Sequence, residues 1–232
     1  MLLSMILPAY NEHKRLPGCL ETLLAWKSYQ LCDVEIIVVD NGSTDDTGEI
    51  ARAYGVDLIT LPVRGKGLAV KSGMLSASGD RRMMLDVDLA MPVREITRFS
   101  FGDVVIGNRE GGRRTGETAG RHFRGRVFNF LAQSIVPGIN DTQCGFKCFS
   151  CKAAGEIFSR SRITGLGFDV EILFLARQLG YKITEIDITW NHDPDTRIRA
   201  IDSYKMLVDL FRIRVNAISG AYSIPVYGHY DF

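Results

Sequence analysis

Two carboxylates one residue apart, Asp86 and Asp88, follow an apolar stretch that ends at Leu85. On a strand-end turn such a pair can reach a common hydrated Mg²⁺ or Mn²⁺, hard ions that keep open positions for diphosphate oxygens. Alone, Asp86-Val87-Asp88 is an ordinary Asp-rich turn; the apolar run before it gives the pair a fixed place. Two more carboxylate-bearing turns accompany it, Pro8-Ala9-Tyr10-Asn11-Glu12 and Asp40-Asn41-Gly42-Ser43-Thr44-Asp45-Asp46. Like charges gathered at one edge disfavour each other's ionised state, and a cation relieves that cost. Asp40, after Ile36-Ile37-Val38-Val39, projects from a strand end where its carboxylate can accept a hydrogen bond from a nucleobase. Thr44, Asp45 and Asp46 read as turn residues, with Asp45 or Asp46 capping the next helix. Arg64-Gly65-Lys66-Gly67 opens a helix whose first N–H groups favour a phosphate, although the spacer and hydroxyl residue of a Walker loop are missing.

These turns can meet only if the strands before them lie side by side. Short apolar runs alternate with helix-length amphipathic stretches, the pattern of an α/β protein whose mostly parallel central sheet is flanked by helices. Ligands of such sheets bind beyond the carboxyl ends of the strands. Strands are expected at Leu3–Leu7, Glu35–Asp40, Val56–Leu61, Arg82–Asp86 and Asp103–Gly107, with helices at Pro17–Trp26, Asp46–Tyr54 and Gly67–Ala77. Glu110–Gly120 lacks periodicity and reads as a loop. A helix Arg121–Val136, a strand near Phe146–Ser150, a helix Phe168–Leu179, a strand Ile183–Trp190 and a helix Ser203–Ile213 complete the pattern. In the last helix Met206, Leu207, Leu210 and Phe211 are expected on one side, against the core. The reading is one domain over residues 1–232, with 1–108 as a nucleotide-binding half, which carries the carboxylate-bearing turns, and 109–232 as the second half.

The 232 residues include 28 Lys+Arg and 27 Asp+Glu, a formal charge of +1, and are 46% hydrophobic. That balance excludes a disordered chain and a nucleic-acid-coating one. Five cysteines, an odd number, do not make a disulfide framework, and free thiols in a reducing compartment are expected. Cys144, Cys148 and Cys151 lack the fourth ligand of a closed zinc site. Met1–Leu7 reads as a strand and not a signal peptide, and no apolar run reaches the roughly 18 residues of a membrane span. A cytoplasmic protein with at most peripheral contact to the cytoplasmic membrane face is expected.

Together LPAYNE, VVDNGSTDDT, RGKGLAVKSGM, LDVDLAMP, VIGNRE, NDTQCGFKCF and GFDVEILFLARQLGYKITEIDITW resemble glycosyltransferase family 2. DTQCGFK with FDVE resembles the branch that glycosylates polyprenyl and dolichyl phosphates. The resemblance implies the Rossmann-like GT-A fold and an inverting transfer of a hexose, glucose foremost, from UDP-glucose to a polyprenyl or dolichyl phosphate with Mg²⁺ or Mn²⁺. It implies that Pro8, Tyr10, Glu12 and Asp40 hold the base and ribose with Lys66 nearby, and that Asp86 and Asp88 hold the metal and diphosphate. Arg109 and Arg121 would cradle the acceptor phosphate, and Asp141 would face the transferred sugar. His192 and Arg197 would contact diphosphate or metal from a closing loop. Leu89-Ala90-Met91 departs from mannosyltransferase relatives, which carry a Gln there, and Gly125 from relatives with a Ser.

The acceptor decides what else the chemistry needs. A phosphate monoester, with a second pKa near about 6, is ionised at neutral pH and needs cations instead of a base. Arg109, Arg113, Arg114, Arg121, Arg124 and Arg126 concentrate planar donors that match phosphate oxygens. Arg109 and Arg121 flank the glycine-rich loop and are the functional candidates, while Arg124 and Arg126 read as a solvated helix face. A hydroxyl acceptor, as in glycan synthesis, would require a base, for which Asp141 is the one candidate. A non-catalytic nucleotide-sugar-binding module is the remaining alternative, against which the full set of donor-side acids argues. His13, His122 and His229 read as surface residues.

Overall fold

The structure, a computed structural model, describes residues 1–109, 111, 114–115, 128, 130–191 and 200–223. Strands β1 (Leu2–Ala9), β2 (Asp33–Asn41), β3 (Asp57–Leu61), β4 (Arg81–Met84), β5 (Val104–Asn108), β7 (Lys147–Ser150) and β8 (Ile183–Asp187) form one sheet in the order β3-β2-β1-β4-β7-β5-β8. Strands β6 (Arg114–Thr115) and β9 (Trp190–Asn191) pair separately as a short ribbon. Every pairing in the large sheet is parallel except those of β7, which runs against both β4 and β5. The reversal matters for the site. The first residue of β7, Lys147, lies opposite Met84 and Ile106, so the start of β7 joins the edge where its neighbours end.

Side chains alternate between two apolar cores, one on each face of the sheet, because successive strand residues point to opposite sides. In β1, Leu3, Met5, Leu7 and Ala9 enter one core and Ile6 the other; in β2, Ile36 and Val38 oppose Ile37 and Val39. Helices α1 (Leu16–Ser28) and α2 (Thr47–Ala53) and a 3-10 turn at Val93–Phe99 cover one face. Helices α3 (Lys66–Ser76), α4 (Cys151–Arg160), α5 (Phe168–Gln178) and α6 (Ala200–Ile218) cover the other. Pro17 sits in the first turn of α1, where its missing N–H costs no helical bond. The first turn of α2 is held by Asp45, whose Oδ1 accepts from Thr47 N–H at 3.1 Å, while Asp46 occupies the cap position without a side-chain bond.

The sheet and its main helices match the expected α/β pattern, with four differences. Strand β4 ends at Met84, which leaves Asp86 in the following turn. Helix α4 occupies a stretch without an expected element; Ser150 caps it by accepting from Ala153 N–H at 3.3 Å. The strand expected over Ile183–Trp190 divides into β8 and β9. Helix α6 is longer than expected, and its apolar residues lie on two faces: Leu210 and Ile213 are buried, Leu207 and Phe211 exposed. The expected helix Arg121–Val136 is described only in part, with helical backbone at 128 and 130–133. All five cysteines are free thiols, Cys19, Cys144 and Cys148 buried. Among the described residues no helix is long and apolar enough to cross a membrane.

Candidate active site

The turns after β1 and β2 are laced together. Asn11 adopts a left-handed conformation, φ 54°, which its short polar side chain tolerates. Its N–H donates to Ser43 Oγ at 2.9 Å, and its Oδ1 accepts from Thr44 N–H at 2.8 Å. Glu12 N–H donates to Thr47 Oγ1 at 2.8 Å, and Glu12 O accepts from Leu16 N–H at 2.8 Å, which starts α1. Asp40, almost fully buried, accepts from Ser43 N–H at 3.0 Å. The Arg64 guanidinium lies 4.2 Å above the Tyr10 ring, a cation–π stack. Pro8, Tyr10, Glu12 and Asp40 therefore share one end of the β1–β2 pair.

Asp86 owes its position to the reversed strand. Continuing the β4–β7 register two residues past Met84 puts Asp86 opposite Gly145, and a Cβ on Gly145 would collide with Asp86 Oδ2. Only glycine lets the carboxylate lie there. Lys66 Nζ donates to Asp86 Oδ1 at 2.6 Å. Desolvation works against the Asp86 charge, but Lys66 and then Lys147 outweigh it and hold the carboxyl below its usual range. Asp86 O accepts from Leu89 N–H at 3.1 Å, closing a turn that places Leu89 at φ 43° and leaves Asp88 exposed at its tip. Asp88 Oδ1 accepts from Ala90 N–H at 3.2 Å, and Asn191 N–H donates to Ala90 O at 2.8 Å.

The start of α3 departs from the phosphate-site expectation. Gly67 and Leu68 N–H donate to Thr164 O at 2.9 and 3.3 Å, and Gly65 N–H donates to Asn41 Oδ1 at 2.7 Å. The donors that a phosphate would use are taken by a carbonyl and an amide. A Cβ on Gly65 would come within 2.8 Å of Thr164 O, and one on Gly67 would strike Ile163 O. The glycines of this segment thus admit the 163–165 backbone, while Lys66 between them serves Asp86.

Arg109 and Asp141, expected on separate ligands, form one pair. Arg109 Nε donates to Asp141 Oδ2 at 2.6 Å, its Nη2 to Oδ1 at 2.8 Å and its N–H to Oδ2 at 3.0 Å. Burial opposes ionisation of Asp141, yet Arg109 outweighs it and holds the carboxyl below its usual range. The guanidinium also stands 5.5 Å from the Trp190 ring. Glu185 on β8 fixes the turn from behind, accepting from Asn140 N–H at 2.9 Å and Asp141 N–H at 3.3 Å.

A sequence model of glycosyl transferase family 2 matches residues 4–158 of this chain. The chain belongs to that family. It is similar to a dolichyl-phosphate beta-glucosyltransferase of Trichomonas vaginalis, 34% identical over 244 residues that cover 96% of this chain and 76% of the relative. The human dolichyl-phosphate beta-glucosyltransferase is 32% identical over 251 residues, 96% of this chain and 78% of its own. Among solved structures, glucosyl-3-phosphoglycerate synthase from Mycobacterium tuberculosis, bound to Mn²⁺, UDP-glucose and phosphoglyceric acid, superposes with a TM-score of 0.71 at 21% identity, over 97% of this chain and 80% of that one. The GT-A architecture of that transferase is the fold of this chain.

Within this family-2 site, sequence reasoning passed over two buried groups. Lys147 is fully buried, and its Nζ donates to Cys144 O at 2.5 Å and to Asp169 Oδ1. Burial raises the Asp169 pKa, and Lys147 and Lys66 only partly offset it. The signal was present in a lysine between Phe146 and Cys148 and an aspartate in the apolar run of α5. Burial pushes the adjacent Cys144 thiol up to about 12, which makes it a packing residue at neutral pH.

Among the described residues no three His, Cys, Asp or Glu side chains converge as a metal-binding group. The donor chemistry fits a hard divalent ion nonetheless, because such an ion takes one or two carboxylates and completes its shell with substrate phosphate and water. Asp88, exposed beside Lys66-paired Asp86, offers that carboxylate. Arg121, His192 and Arg197, and with them Arg113, Arg124 and Arg126, lie outside the described residues.

Proposed function

We propose that the protein is an inverting, metal-dependent hexosyltransferase that moves glucose from UDP-glucose to a polyprenyl or dolichyl phosphate. The observation that carries the acceptor class is the state of Asp141. Both of its oxygens bind Arg109, and its carboxyl is held below the usual range. A carboxylate so engaged is a poor acceptor for a hydroxyl proton. A phosphate monoester has no such proton to lose, and guanidinium donors suit it. The relatives named as dolichyl-phosphate beta-glucosyltransferases support the same acceptor and sugar.

In this reading Pro8, Tyr10, Glu12 and Asp40 bind the nucleoside. Asp88, with Asp86 in support, holds Mg²⁺ or Mn²⁺, and His192 is its proposed further ligand. When bound, the ion neutralises charge that grows on the diphosphate as it leaves. Lys66 keeps Asp86 in place, and Arg197 contacts the diphosphate. Asp141 orients the donor sugar and, through their pair, the Arg109 guanidinium, which with Arg121 holds the acceptor phosphate in line with the sugar carbon it attacks. The cytoplasmic face of a membrane is the proposed location, with peripheral contact toward the lipid-phosphate acceptor.

The test is Mn²⁺-dependent UDP release with and without polyprenyl phosphate in wild type and Asp88→Ala. Release that requires the lipid phosphate and falls by about a hundredfold or more in the variant is expected. Equal turnover in both proteins would reject the metal assignment. Arg121→Ala should cost more than Asp141→Asn; near-abolition by Asp141→Asn alone would point to a hydroxyl acceptor.

A further inference from the structure

We propose that the outward face of α6 is a bilayer-binding surface on which the protein rests against an anionic phospholipid membrane. The inward face of this helix is fully used. Leu210 and Ile213 are buried in the core, and Asp209 Oδ2 accepts from Gly167 N–H at 3.2 Å. On the other side Tyr204, Leu207, Phe211, Val215 and Ile218 are 64%, 42%, 70%, 45% and 87% exposed. Steps of three and four residues at about 100° per residue align them in one stripe, roughly 21 Å long at 1.5 Å per residue. Nothing in the core accounts for two aromatic and three aliphatic side chains facing water in a row.

Charge decides what the stripe fits. Helical spacing sets Lys205 and Arg212 along one margin of the stripe and Arg214 along the other, all three exposed, Arg212 also pairing with Asp209 Oδ1 at 3.3 Å. No acidic residue of α6 is exposed among those described: Asp209 is buried and Asp202 half-buried. Arg214 Nη2 also donates to Ser134 O, which ties the helix to the segment carrying Phe130, 78% exposed. An apolar stripe with aromatic residues, bordered by cations whose stems can lie along it, is the make-up of a helix lying in a membrane interface. Contiguous exposed apolar surface of this kind marks a docking face, and the choice of a bilayer over a protein partner rests on the lipid-phosphate acceptor proposed above.

The experiment is flotation of the full chain with vesicles of phosphatidylcholine containing about one-third phosphatidylglycerol. Wild type is expected to float with them, less so at high salt. The double variant Phe211→Ser, Ile218→Ser should partition about tenfold more weakly or worse. It should keep its melting temperature and its UDP release with a water-soluble, short-chain prenyl phosphate. Wild type that stays in solution, or a double variant that floats equally well, overturns the proposal. So does a wild-type dimer that ignores vesicles and that the double variant dissociates, which would assign the face to a second copy. Flotation without any sugar transfer would uphold this surface and reject the proposed acceptor. Transfer to the short-chain phosphate without flotation would do the reverse.

Discussion

At the scale of single residues, Lys147 acts on three carboxylates of the site at once. It is fully buried, pairs with Asp169, and lowers the pKa of both Asp86 and Asp141. Lys147→Met would leave Asp169 buried without its partner, a change that costs about 3–5 kcal/mol and, at about 2–4 °C per kcal/mol for a chain of this size, on the order of ten degrees in melting temperature. The pH dependence of that deficit has a definite sign. Burial already raises Asp169, and losing Lys147 raises it further. The stability of a group whose folded pKa is raised is complete below its unfolded pKa and is lost as pH rises through the folded one. The deficit of the variant relative to wild type should therefore shrink between pH 7 and pH 5. Thermal melts at both pH values check this, and a deficit that widens on acidification would show that Asp169 does not carry it. Adding Asp169→Leu should recover most of the loss, because an apolar pair of similar volume needs no compensating charge.

At the scale of elements, the reversed strand β7 and its glycine set where Asp86, the proposed metal-side acid, lies. Gly145→Ala places a methyl group in steric overlap with Asp86 Oδ2, so the carboxylate or the turn must shift. A shift of about 1 Å at a reacting centre costs on the order of a hundredfold in rate. The expectation is a large fall in kcat with a melting temperature close to wild type, since Asp86 is half-buried and its turn borders solvent. Unchanged kcat would mean that Asp86 need not be where the structure puts it.

The same elements show why part of the site was legible beforehand. Asp40 follows Ile36-Ile37-Val38-Val39, and Asp86 and Asp88 follow Met83-Met84-Leu85, apolar runs that read as buried strands, so their edge was readable. The partner of Lys66 was not. Its helix start looked open to a phosphate because Thr164, whose carbonyl closes it, lies about a hundred residues away, and no local pattern reports such a contact. Helix α4 was missed although Ser150 caps it and Ala153, Ala154, Ile157 and Phe158 have helical spacing; Gly155 and a run of small residues hid the pattern. In α6 the apolar positions were visible, but which of two faces packs inward is fixed by Asp209 meeting Gly167, a tertiary contact.

At the scale of the whole molecule, the site is where the two halves of the chain are fastened. Lys66 and Asp86 come from the first half, and Gly145, Lys147 and Asp169 from the second. Behind them, residues 161–167 lie between α3 and α6. Thr164 O accepts from Gly67 N–H at 2.9 Å, Glu171 accepts from Ile163 N–H at 2.9 Å and from Tyr222 OH at 2.8 Å, and Asp209 takes Gly167 N–H. A ligand bound among these groups should therefore stabilise the folded chain as one unit. At about a hundredfold excess over its Kd, UDP with Mn²⁺ would add about 2.7 kcal/mol, or about 5–10 °C at the conversion appropriate to this size. Differential scanning calorimetry should show one transition moving by that amount. In Asp88→Ala the increment due to Mn²⁺ should vanish while that of UDP alone remains, because the turns after β1 and β2, proposed above to bind the nucleoside, do not depend on Asp88. Two transitions, of which only one moves, would mean that the halves unfold separately and that the contacts between them, such as Gly67 N–H to Thr164 O, do not couple the proposed donor site to the rest of the fold.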